Sequence, residues 1–232
     1  MRKLFNLLIS FPKTVYFNMK VFPLRKAIYL PILIHYKVKL DKCSRGCIKI
    51  NSQLRPLMIK YGWGEGSFGV FNGNKPQYGG GYLRIANNSK LVFLGKANFS
   101  SGISIRIEDG GCIEFGENFS CSVNCFFAAN KLIKFGENNL IGWNVNIRDV
   151  DGHNIFSCRD LNNDYVLNEP REIVIGDKVW IAAHVHILKG VKVPNNTIIA
   201  YKTLLTKSFN EANCIIGGNP NRILKQEVKW CN

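Results

Sequence analysis

Acidic residues are scarce where the chain begins: from Met1 to Lys60 there is one, Asp41, against thirteen Lys and Arg. No stretch approaches the ~20 consecutive apolar residues of a membrane span. The opening MRKLFNLLIS has a basic start and a short apolar run. Pro12 and Lys13 interrupt that run and no small-residue cleavage site follows, so it does not read as a signal peptide. Eight cysteines in 232 residues are too few for a disulfide scaffold and point to a reducing, cytoplasmic setting. Cys43-x-x-x-Cys47 and Cys121-x-x-x-Cys125 lack a histidine at ligand separation, so no metal site is expected. The glycine-rich passage from Tyr61 to Gly69 ends without the Lys-Ser/Thr of a phosphate loop and reads as turns. No helix-turn-helix, RNA-recognition or zinc-finger pattern organises the charge, which argues against nucleic acid.

The chain is nonetheless 46% hydrophobic, with 15 Phe, 8 Tyr and 4 Trp, so it must bury a core. Its net charge of +15 is unevenly placed, since residues 1–60 carry +12 and the remainder is nearly balanced. Pro23 and Pro31 exclude one uninterrupted helix through the basic segment, and the β-branched run near Ile32–Ile34 suits a short strand. Two readings of residues 1–60 stand side by side. They form either a solvated cap on the adjoining domain or a basic, apolar-anchored segment that meets an anionic membrane at its inner face. Residues 61–90 read as a glycine-rich lead-in.

A six-residue rhythm organises the rest of the chain. Ile175, Ile181, Ile187, Val193, Ile199 and Leu205 are six apart, and Ile173, Val179, Val185, Val191, Thr197 and Thr203 repeat the period two residues earlier. Period six fits neither a helix nor a flat strand, but it fits short strands separated by turns and stacked in successive coils. Fainter copies begin at Leu94-Gly95, Phe115-Gly116 and Phe135-Gly136, at intervals a little over three hexads. This register puts Cys121 and Cys125 in a core. From 148 to 171 the rhythm stops in a polar excursion, and such insertions in solenoids map to loops at binding faces.

Three further stretches carry a family likeness: Asp149-x-Asp151-Gly-His153, Ile175-Gly-Asp-Lys-Val-Trp-Ile181, and Gly217-Gly-Asn-Pro220-Asn-Arg222. With the hexads, they make residues 90 to 225 resemble the hexapeptide-repeat acyltransferases, particularly those that O-acetylate sugars and polysaccharides. The resemblance implies an all-β, left-handed parallel β-helix over 91–225 with a protruding loop at 148–171, a basic N-terminal extension and a short tail at 226–232.

It further implies acetyl transfer from acetyl-CoA to a sugar hydroxyl of a surface polysaccharide or its precursor. His153 would act as general base, with Asp149 or Asp151 as the carboxylate that orients it and the backbone N–H of Ala183 as oxyanion donor. Asn124 and Trp180 would line the acceptor side. Ala183, Tyr201, Thr206, Lys207, Arg222 and Lys225 would meet the coenzyme. Tyr201 and Ala182 depart from the family pattern, where alanine and glycine, respectively, are usual. The family's trimers place each site between neighbouring β-helices. An amino-sugar or serine acceptor, or a non-catalytic trimeric glycan-binding scaffold, are the competing readings. His184 and His186 flank inward-pointing Val185 and are expected to face outward.

Overall fold

In a computed structural model the described residues are 2–63, 80–158 and 165–231, and most of the glycine-rich passage lies outside them. Among the described residues twenty-two short strands form three sheets, parallel but for the last strand, the faces of a triangular prism. The first face runs from Ile32–Ile34 to Ile215–Gly217 and ends on Arg222–Lys225, which pairs antiparallel with it. The second runs from Val38–Asp41 to Leu204–Leu205, and the third from Ile48–Ile50 to Lys192–Val193. The chain visits the three faces in turn, as a left-handed parallel β-helix.

The hexad rule holds best where it is most legible. Trp180 pairs with Ile198, His186 with Leu204, and Val174 with Lys192, so each coil takes three hexads. Both periodic series from Ile173 to Leu205 are buried. Upstream coils are longer, as the pairing of Ser120 with Leu140 and of Ala97 with Phe119 shows, because extra residues enlarge the corners. Cys121 and Cys125 are buried in the core as expected. An aromatic column fills the wider coils, with Phe115 stacked between Phe93 and Phe135 at centroid distances of 5.7 and 5.3 Å. At one corner the coils approach so closely that a Cβ on Gly116 would lie 2.1 Å from the Gly136 carbonyl oxygen, which explains the recurring glycine after each Phe.

One expectation, the domain bounds, is corrected. The coil stack begins at Ile32, since Ile32–Ile34 pairs with Ile59–Tyr61 and that strand with Ala97–Phe99. Residues 1–60 and 61–90 are therefore not units apart from a domain starting at 91. Helix α1 spans Arg2–Val21 with Pro12 inside it. The tail at 226–231 folds back, with Val228 N–H donating to Asn213 O and Trp230 Nε1–H to Lys178 O.

Helix α1 closes the first coil by an uncommon device. An open strand edge exposes unpaired amides and carbonyls, and here side chains one helical turn apart satisfy them. Asn18 donates to Ile32 O at 2.7 Å and accepts from Ile32 N–H at 3.2 Å, Thr14 makes the same exchange with Ile34, and Ser10 Oγ accepts from Tyr36 N–H. Phe17 and Val21 plug the end of the core. A short second helix, α2 (Leu24–Ala27), follows.

His35 is buried beneath this cap, with no partner for Nε2 among the described residues. Burial first, then Lys37 and Lys13, lower its pKa from 6.5 to about 4. The unfolded chain therefore binds the proton that the fold rejects, and stability present above pH 6.5 drains as pH falls towards 4. Thermal unfolding is expected to move to lower temperature over that interval, and His35→Gln should flatten this component of the pH profile.

Candidate active site

Where the chain passes from the first face to the second, four coils place a three-residue corner in register: Ser122-Val123-Asn124, Gly142-Trp143-Asn144, Ala182-Ala183-His184 and Ala200-Tyr201-Lys202. Third positions need positive φ, and Asn124, Asn144, His184 and Lys202 have values of 55–59°. The middle column alternates in size. Ala183 lies between Trp143 on one coil and Tyr201 on the next, a notch between two large rings. These residues line an apolar groove of about 650 Å³ together with Ser122, Leu140, Trp180, Ile198 and Ala200.

The notch holds a free donor. The amides beside Ala183 are committed, Ala182 N–H to Ile199 O and His184 N–H to Trp143 O, both at 2.9 Å. Among the described residues the Ala183 N–H itself has no partner. His184 braces the walls, its ring 5.3 Å from that of Tyr201 and 6.3 Å from that of Trp143, with Asn144 Nδ2 3.4 Å from its Nε2. His184 is thus half-buried at the groove, while His186 is exposed. Trp230 from the returning tail rests 6.2 Å from Trp180.

Trp180, Ala183 and Tyr201 therefore converge. Asn124 lies exposed on the same corner, and Thr206 and Lys207 are exposed just beyond Leu204–Leu205. Arg222 and Lys225 are exposed on the final strand, where the first face ends. The wall residue Trp143 and its neighbour Asn144 escaped the sequence reading, while His184, expected to face outward, braces the notch. Continuing the hexad register into the corner triplets would have found Trp143 and Asn144.

His153 stands elsewhere. Its loop leaves the prism after Asn146–Arg148, at the corner between the second and third faces, and no described residue of that loop lines the groove. The neck is pinched by Arg171 N–H donating to Asp149 O. Asp149 does not orient the imidazole: it is buried, and its two carboxylate oxygens accept from the amides of Asn130 and Lys131 at 2.8 Å. Burial pushes its carboxyl above the usual range despite those bonds. Asp151 is also committed, to Lys189 Nζ at 2.5 Å and Asn168 Nδ2 at 2.9 Å. Those bonds, Lys189 first, hold it below the usual carboxylate range.

Asn168 is the loop's organiser. It accepts from Ile155 N–H at 2.7 Å and donates to the His153 carbonyl at 2.8 Å, while Lys189 donates to its own carbonyl. The His153 backbone is thus held while its side chain is exposed. Beside the loop a polar hollow of about 520 Å³ is lined by residues that include Arg106, Phe126, Arg148, Asp151 and Asn154.

No family model matches the chain. It is 33% identical over 159 residues to YvoF of Bacillus subtilis, a protein named as an acetyltransferase, covering 64% of this chain and 82% of that one. It is 33% identical over 149 residues to the polysialic acid O-acetyltransferase of Escherichia coli O1:K1, covering 64% and 44%. The chain thus spans under half the length of that second relative. The crystal structure of the polySia-specific acetyltransferase NeuO superposes with a TM-score of 0.53 at 20% identity, over 84% of this chain and 85% of that one, a likeness of fold. Short strands stacked in hexads on three parallel faces define a β-helix. The chain belongs to the hexapeptide-repeat acetyltransferases and is an acyltransferase.

Proposed function

We propose that the protein transfers the acetyl group of acetyl-CoA to a hydroxyl of a sugar in a surface polysaccharide or its precursor. The observation that carries the reading is the unpartnered Ala183 amide at the floor of an apolar notch. A dry wall on each side strengthens a hydrogen bond to developing negative charge. The pantetheine arm lies along the groove with the thioester oxygen at Ala183. The phosphates run towards Arg222 and Lys225, with Thr206 and Lys207 on the flank, where charge-assisted bonds hold them. Tyr201, which departs from the family pattern, supplies one wall of the notch.

His153 takes the proton from the acceptor hydroxyl as that oxygen attacks the thioester carbonyl carbon. The tetrahedral oxyanion is held by the Ala183 N–H, then the carbon–sulfur bond breaks and the imidazolium returns its proton to the departing thiolate. Base and oxyanion donor belong to different corners of one prism, so the complete site needs two chains. The His153 loop of one subunit meets the Ala183 notch of its neighbour in a trimer. The acceptor sugar enters beside the loop, where Asn124 of the groove corner and the hollow near Arg148 offer polar contacts, and Trp180 offers an apolar face.

Thiol release from acetyl-CoA by the purified protein, followed across a panel of oligosaccharides, nucleotide sugars, amino sugars and serine, tests the reading. Acceptor-dependent release with hydroxyl sugars and an ester-linked acetyl in the product is expected. Release only with amines would move the acceptor class. Tight glycan binding with no release would make the protein a scaffold.

A further inference from the structure

Helix α1 is built inside out. The residues that face the prism, Ser10, Thr14, Phe17, Asn18 and Val21, are spaced i, i+4, i+7, i+8 and i+11, and three of the five are polar because they satisfy the strand edge. The opposite face is apolar from end to end: Leu4, Phe5, Leu8, Pro12, Val15, Tyr16 and Met19. Phe5 is 60% exposed, Leu8 65% and Tyr16 60%. Leu24 and Ile28, on and just after α2, are also exposed, by 63% and 65%. From Leu4 to Met19 the stripe is about 22 Å long, well beyond the scattered exposed apolar side chains that a soluble surface tolerates.

We propose that this face lies in the interfacial layer of an anionic lipid bilayer. The charge around it carries the choice of occupant. Lys20, Arg25, Lys39, Lys42 and Arg45 are exposed nearby in sequence, and the segment's one acid, Asp41, is engaged by Tyr82 and Arg84. An exposed apolar helical face within a segment of unopposed cations is the pattern of a helix lying in the headgroup plane. A second copy is the poorer occupant, since it would bring +12 against +12 at close range. The face is the convex side of a single helix, which suits fluid acyl chains. No helix among the described residues is long and apolar enough to cross a membrane, so α1 lies on the bilayer. The β-helix then stands on its N-terminal end.

Co-sedimentation of the full chain with vesicles tests this. Vesicles of equal parts phosphatidylglycerol and phosphatidylcholine are expected to bind it at least tenfold better than phosphatidylcholine alone, and salt near 1 M should erase most of that difference. Phe5→Ser with Leu8→Ser and Met19→Ser, all at exposed positions, should weaken binding at least tenfold while thermal unfolding and acetyl transfer to a soluble acceptor persist. Lys20→Glu with Arg25→Glu and Lys39→Glu should weaken binding to the anionic vesicles specifically. Equal binding to both vesicle types, or a triple-serine variant that binds as the wild type does, would overturn the proposal. So would light scattering in which wild-type chains pair through this face and the serine variant separates them.

Discussion

His153→Ala is expected to lower kcat by roughly 10²–10⁴-fold, with KM for acetyl-CoA almost unchanged. In the proposed reaction the effect falls on kcat, because the imidazole meets the acceptor hydroxyl while the apolar groove proposed for the coenzyme contains no described residue of its loop. Removing a group that acts only while the proton moves lowers turnover without loosening donor binding. Stopped-time assays of thiol release at saturating acetyl-CoA, with equilibrium binding of desulfo-CoA as the second readout, separate the two quantities. Turnover equal to the wild type would remove His153 from the reaction. Asn168→Ala gives the graded control. It leaves the imidazole in place and releases the His153 carbonyl and Asp151, so a smaller loss of kcat is the signature of a side chain that positions the base.

The part of the fold legible in sequence is the part whose core positions recur without exception. From Ile173 to Leu205 every coil takes three hexads, so two apolar series six apart reveal the prism directly. Between Ile32 and Phe93 the inward residues are as different as Tyr61, Cys43 and Leu83, and the coils vary in length, so the same geometry leaves no periodic trace. Helix α1 was hidden for a more specific reason. Amphipathic patterning assumes that the apolar side is buried, and here Ser10, Thr14 and Asn18 are buried because an unpaired strand edge needs donors and acceptors. The assumption was reversed at the one place where the helix meets a sheet edge.

The candidate site divides along the same line. His153, Ala183 and Trp180 were marked by the family likeness of the stretches around Asp149–His153 and Ile175–Ile181, whereas the hexads alone single out none of them. The carboxylate roles were not readable, because Asp149 and Asp151 each had several neighbours within reach and only the fold shows which ones they bond. Asp149 spends both oxygens on the amides at the turn beneath the loop. Asn168 organises the loop from 13 to 17 residues away from its partners, a separation with no period to betray it.

Ala183→Pro isolates the proposed oxyanion donor without removing a side chain of consequence. Ala183 precedes His184, whose φ of 59° marks the third position of a type II turn, and the second position of such turns accepts proline readily. The N–H it deletes has no partner among the described residues, so no structural hydrogen bond is lost. A fall in kcat of about 10²–10³-fold is expected, with a thermal unfolding temperature close to that of the wild type. Mixing this variant with His153→Ala then tests whether the site spans two chains. Random exchange at equal amounts leaves about three quarters of trimers mixed, and each mixed trimer carries one interface in which an intact His153 faces an intact Ala183 amide. About a quarter of all sites should therefore be restored, where neither parent alone has appreciable activity. Recovery of that size places base and donor on neighbouring subunits. No recovery, from mixed trimers confirmed by mass, would require the loop to fold back onto its own groove.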